Sequence, residues 1–356
     1  MRVSKLLAVF SAFVLSVDTI DAEVTTVIDA TAGGARATEP HDYTYFSFAD
    51  NDVVPITDVE AKTSLDWHIA FKRYDVVLNG GVSGPGNVRG YNIHAGYEGH
   101  LENEVFSDVS MMDMPEDESF VLDSSAEALS QWYSYDVVTH VISASGNAYE
   151  LRTADGQYAK WVVDTIEGYG RADAGTINFR WVVGEDLNVE SRSASVDVSE
   201  GREVYFNLRT GQEVSPSEPQ NSLDWDLWFS GYSIKLNGGV SGSGEAAALP
   251  AYESGMSFED IVAPVGAGYI SDQVSSVFSD WYDYNMTTHT LFTKNHTYLI
   301  NTSQQTYKIQ LLDYYKSVEG SPVSGWITFR WSLLEDNSTV VTSASWSNVK
   351  LTFDSP

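Results

Sequence analysis

The chain writes one sentence twice. Residues 64–84 read SLDWHIAFKRYDVVLNGGVSG, and residues 222–242, 158 positions further on, read SLDWDLWFSGYSIKLNGGVSG. Three more echoes keep the same order. Residues 131–141 (QWYSYDVVTHV) answer residues 280–290 (DWYDYNMTTHT) at an offset of 149. Residues 177–186 (INFRWVVGED) answer residues 327–336 (ITFRWSLLED) at 150, and residues 45–58 (YFSFADNDVVPITD) resemble residues 205–218 (YFNLRTGQEVSPSE). Collinear matches at near-constant spacing signify a duplicated domain, not a short-period solenoid. A chain of 356 residues has room for two domains. They are expected at residues 23–191 and 192–356, with the boundary in the Ser- and Asp-rich stretch 191–200. The fall in offset from 158 to 149 places about nine extra residues in the first copy, expected around MMDMPEDES, residues 111–119.

Each copy reads as strands. Trp67, Ile69 and Phe71 alternate with His68, Ala70 and Lys72, and period two puts the three on one face; Trp225, Leu227 and Phe229 repeat it. All four large aromatics, Trp67, Phe71, Trp225 and Phe229, are therefore expected in the core. Asn79-Gly80 and Asn237-Gly238 have turn chemistry that tolerates positive φ, and Asp155-Gly156 marks another hairpin. Aromatics make up 13% of the chain and suit pleated, half-buried surfaces. The clearest helix signal is a capping box, Ser124-x-x-Glu127, ahead of Leu129 and Trp132. The expected fold is all-β: two tandem, homologous antiparallel meander or sandwich-like domains with one or two short helices.

A net charge of −30 repels nucleic acid and anionic lipid, and neither is expected as a partner. Arg2 and Lys5 followed by an apolar run at residues 6–17 read as a secretory signal ending near Ala22, too short for a membrane span. With no cysteine there is no disulfide, no thiolate metal site and no lipid-modified cysteine. The chain is expected to be exported, whether periplasmic, surface-associated or secreted, without inserting into a membrane. There is no Gly-x-Ser-x-Gly elbow, His-Glu-x-x-His pair or Walker loop, so a non-enzymatic role is expected. Sequons at Asn285, Asn295, Asn301 and Asn337 matter only in a eukaryotic secretory host.

Several motifs of the first copy together resemble the HmuY family of exported haem-binding proteins. They are the strand Trp67-His68-Ile69-Ala70-Phe71-Lys72-Arg73-Tyr74-Asp75, the Asn79-Gly80-Gly81 turn with its Ser83-Gly84, the Trp132-x-x-Tyr135 segment, the LRTADGQYAK hairpin at residues 151–160, and the closing INFRW. The second copy keeps fewer: its hairpin reads LINTSQQTYKIQ, without Asp-Gly. The resemblance implies a meander-rich β domain that holds haem between axial side chains and performs no chemistry of its own. Haem-carrying proteins and an outer-membrane haem receptor are the partners it implies. A carbohydrate- or cell-surface-binding role without haem is the alternative.

The stretch where the family places one ligand, residues 121–131, contains no His, Met or Tyr in this chain. Haem iron takes His, Met, Cys or Tyr. His140 and His289 occupy the same place in Tyr-x-x-x-Thr-His of both copies, either as axial ligands between aromatic walls or, more ordinarily, as packed and hydrogen-bonded residues. Met286 is a further candidate, although a Met on a β segment is usually core filler. His68 aligns with Asp226 and is expected to be exposed; His296 follows a turn at Lys294-Asn295. His94 and His100, with Glu98, Glu102 and Glu104, offer metal-binding groups, but without a recognised ligand spacing. Met111, Met112 and Met114 are expected on a surface loop.

Overall fold

The computed structural model describes residues 23–32, 42–94 and 106–334. The expected signal segment, residues 1–22, and Glu98, His100, Glu102, Glu104 and Asn337 lie outside the described residues. The first copy contributes β1 (Val24–Asp29), β2 (Thr44–Ser47), β3 (Asp52–Val54), β4 (Ile69–Lys72), β5 (Asp75–Leu78) and β6 (Arg89–Asn92). It continues with β7 (Ser124–Ala126), β8 (Tyr133–Tyr135), β9 (Ile142–Ala144), β10 (Tyr149–Arg152), β11 (Tyr158–Glu167) and β12 (Thr176–Val183). The second copy repeats the series: β13 (Arg192–Asp197), β14 (Glu203–Asn207), β15 (Gln212–Val214), β16 (Leu227–Ser230), β17 (Ser233–Leu236) and β18 (Ala247–Leu249). After these come β19 (Gln273–Ser275), β20 (Tyr282–Asn285), β21 (Thr290–Thr293), β22 (Thr297–Asn301), β23 (Thr306–Val318) and β24 (Ser321–Leu333). The architecture is all-β and antiparallel, and each of the first twelve strands has its counterpart twelve strands later.

The sheets are built across the copies. One runs β1-β24-β23-β22-β6 and its equivalent runs β13-β12-β11-β10-β18, so every large sheet mixes strands of both repeats. The smaller sheets, β3-β2-β4-β5 and β15-β14-β16-β17, each stay within one copy. Two cores result. An inner core gathers residues between Leu129 and Ala248, the second half of the first copy against the first half of the second. An outer core gathers Ile28 to Val88 with Phe278 to Trp331. The chain crosses between them at β7 and β19, which pair with each other: Ser124 with Ser275, Ser125 with Val274, Ala126 with Gln273. Ser125 and Val274 are themselves equivalent positions, 149 residues apart, so a pseudo-twofold axis passes through their pair.

Asp123 and Asp272 precede these crossover strands and pin them. Asp272 accepts from Leu236 N at 2.9 Å in its own copy and from Ala128 N at 2.9 Å in the other; Asp123 accepts from Leu78 N at 2.8 Å. Gly81 and Gly239, at φ 64° and 62°, let the aspartates' carbonyls approach so closely that a Cβ would stand 1.8 and 1.9 Å from an oxygen. Only glycine fits there. The positive φ thus falls one residue beyond the Asn-Gly steps. Asn79 and Asn237 are buried hubs: Asn79 donates to the Ser64 and Trp67 carbonyls and accepts from Gly86 N, and Asn237 repeats all three bonds.

Trp67, Phe71, Trp225 and Phe229 are all buried. Trp67 does not share a face with Phe71, however: it packs with Tyr45, Ala61, Ala70 and Val77, whereas Ile69 and Phe71 enter the outer core. Trp67 lies ahead of β4, where the backbone has not yet become regular strand, so period two does not extend to it. The capping box at Ser124 opens no helix, because the segment extends to meet its own counterpart. Among the described residues the α-helix is Asp58–Ala61, with a capping box between Thr57 and Glu60. The extra residues of the first copy fall mostly ahead of residues 111–119. Phe106-Ser107-Asp108-Val109 corresponds to Phe258-Glu259-Asp260-Ile261 at an offset of 152: Lys160 bonds the Phe258 and Ile261 carbonyls, as Lys308 bonds that of Val109.

Candidate functional site

His140 and His289 sit at the tips of matching hairpins, β8–β9 and β20–β21. Asp136 caps the first tip through Val138 N and Thr139 N, and Asn285 caps the second through Thr287 N and Thr288 N. Both histidines adopt positive φ, 57° and 54°, in a position where glycine or asparagine is more at ease. Both are exposed, and each has Nδ1 hydrogen-bonded to a tyrosine five residues earlier on the same hairpin: Tyr135 Oη at 2.5 Å, Tyr284 Oη at 3.0 Å. When Nδ1 carries the proton and donates to the phenol oxygen, Nε2 keeps a free lone pair aimed outward. That is how a second partner fixes the tautomer of a metal-binding histidine.

The outer hairpin faces a cavity of about 620 Å³ lined by Arg73, Tyr74, Tyr282, Tyr284, His289, Tyr314 and Tyr315. Arg73 and Tyr74 form the two-residue turn between β4 and β5, with Arg73 at φ 56°. The equivalent turn in the second copy is Gly231-Tyr232, with Gly231 at φ 57°. A glycine occupies this backbone freely; the first copy holds an arginine there against its preference. Arg73 Nη2 donates to Ser324 Oγ at 3.1 Å and its guanidinium lies 5.8 Å from the Tyr314 ring. Trp281 Nε1 donates to the Tyr74 carbonyl at 2.8 Å, and Tyr74 meets Tyr282 at 5.8 Å between centroids. The cleft is therefore composite: its cation and one tyrosine come from the first copy, its histidine and remaining tyrosines from the second. A second cavity of about 420 Å³ adjoins it beyond Tyr74 and Tyr282 and contains Tyr43 and Asp75.

At the inner hairpin Tyr133 packs on Tyr232 at 5.3 Å, and Tyr232 Oη donates to the Gly170 carbonyl. His140 stands beside Val137 and Val138, both largely exposed. Burial pushes the pKa of the Tyr282 and Tyr314 hydroxyls up.

The remaining candidates separate. Met286 is 76% exposed on the outer hairpin tip, so it does not fill a core. His68 is not exposed: its Nδ1 accepts from Phe48 N at 3.1 Å, the task that Asp226 performs for Leu208 N in the second copy. Burial lowers its pKa. His94 stacks on His296, centroids 4.8 Å apart, and its Nδ1 accepts from Thr297 N. Met112 is almost fully exposed, while Met114 packs against an apolar cluster around Ile93 and Phe120. Among the described residues no group of three or more His, Cys, Asp or Glu is placed to hold a metal ion. Arg73 and Tyr74 were missed by the sequence reading. Their signal was available: a two-residue loop between alternating strands, with Arg in one copy and Gly in the other.

A search of curated proteins gives no match. The family profile described as HmuY protein matches residues 39–181 and again residues 199–331, which together span most of the chain. The chain belongs to the HmuY family.

Proposed function

We propose that the chain is an exported, non-enzymatic haem-capturing protein, and that the outer cleft is its principal site. The observation that carries this reading is the convergence of His289 and Arg73 on one tyrosine-walled cavity. The donor set fits haem. His289 Nε2 supplies an axial nitrogen once Tyr284 accepts the Nδ1 proton, and imidazole is an ordinary haem ligand. Aromatic rings give the apolar walls a porphyrin needs, and Arg73 brings a positive charge for the propionates into a chain of net charge −30. His140 is the corresponding ligand of a secondary inner site, and Met286 is the remaining soft donor beside the outer one. Partners of this function are haem-carrying proteins as donors and an outer-membrane haem receptor as acceptor.

Titrating the protein with haemin and recording the Soret band tests the reading. A tight first haem at the outer site and a weaker second at the inner one are expected, with a shifted band and a loss of affinity for the first of at least tenfold in His289→Ala. An unchanged spectrum in the His140→Ala, His289→Ala double variant removes both histidines. No Soret shift with the wild type removes haem and leaves a surface-binding role.

A further inference from the structure

The crossover at β7 and β19 carries an inference independent of haem. We infer that the two copies are mutually complementing partners, each unable to close its own cores, held by a self-complementary surface that outlasts the covalent link between them. The first copy ends with β12, whose outer neighbour is β13 of the second copy; the second ends with β24, whose neighbour is β1 of the first. On the other side of each sheet β10 pairs with β18, and β22 with β6. Four ladders thus join the copies, besides the β7–β19 pair. Side chains do the same. Lys160 of the first copy reaches the Phe258 and Ile261 carbonyls, and Lys308 of the second reaches the Val109 carbonyl. Arg180 lies 4.5 Å from the Phe258 ring, and Arg330 lies 4.5 Å from that of Phe106. Each half of the arrangement repeats the other about the axis through Ser125 and Val274, the symmetry of an isologous dimer. Both cores consist of side chains from the two copies together, as in obligate interfaces.

Cutting the chain between the copies tests this. Asn188, Val189 and Glu190 are exposed, ahead of β13, and accept an inserted protease site. After cleavage under native conditions both fragments should co-elute at 1:1 at the position of the intact protein, with an unchanged β spectrum. Two separate folded fragments of half size would overturn the inference. A second measurement uses the absence of native cysteine. Val27 lies opposite Thr328 across β1 and β24, whereas a copy closing on itself would bring Val27 opposite Asn178 of its own β12. Oxidation should cross-link Val27→Cys with Thr328→Cys nearly completely and leave Val27→Cys with Asn178→Cys free. The reverse result refutes the exchange even if the cleaved chain precipitates.

Discussion

Asp123 is almost fully buried, and burial pushes its carboxyl up to about 6. An unfolded aspartate titrates near about 3.9, so between these values the folded state binds more protons and stability falls as pH rises. Asp123→Asn keeps an acceptor for Leu78 N and removes the charge. Relative to wild type it should gain stability at pH 7.5, by up to about 3 kcal/mol, and gain little at pH 4. Urea melts at the two pH values measure this, and an equal effect at both would show that the carboxyl does not titrate in this range. Trp67→Ala should cost about 3–5 kcal/mol, since the indole is fully buried and its Nε1 donates to the Ala61 carbonyl. A loss below about 1 kcal/mol would show that this second face of the small sheet is not core.

Hairpins carry the function proposed for this chain, and their chemistry is separable from their folding. Arg73→Gly gives the first copy the turn that the second already has. Relief of the left-handed arginine offsets the lost contact with Ser324, so the melting temperature should change by only a few degrees. Haemin affinity should nevertheless fall at least tenfold. A large fall in melting temperature would instead assign Arg73 to the scaffold. Tyr284→Phe leaves the hairpin intact but frees the His289 tautomer, and should weaken binding less than His289→Ala does. At this scale the sequence was informative. Alternation located β4 and β16, and the Asp-Gly step located the β10–β11 hairpin; the repeated Tyr-x-x-x-Thr-His marked the two histidines as equivalent but did not show that they stand exposed on hairpin tips. It was silent on Tyr74 facing Tyr282, because residues 208 positions apart meet only through tertiary packing.

Exchange between copies was illegible for a different reason. The edge of β12 accepts β13 as it would accept β1, since the two strands are versions of one sequence, and hydrophobic pattern cannot choose between them. The choice rests on residues 124–126 running extended as β7, a three-residue matter that their capping-box pattern misstates. Net charge also acts on the whole molecule. A field of −30 opposes an anionic ligand until Arg73 is reached, so haemin association should accelerate with added salt as the repulsion is screened. Stopped-flow rates that fall with salt would mean that local positive charge dominates the approach.

Closing the outer core with the last strands of the chain also sets a timetable. Val24 pairs with Trp331, and β6 waits for β22, about 200 residues further along. At roughly 5–20 residues per second of synthesis, that wait lasts about 10–40 s. The inner core needs nothing beyond its own contiguous segment and can form while the outer strands are still unpartnered. Contacts of such long sequence separation are slow to form even from a complete chain. Pulse-labelled hydrogen exchange during refolding should therefore protect β11 and β16 before β1 and β6. Protection of β1 first would mean that the chain ends find each other before the middle has folded.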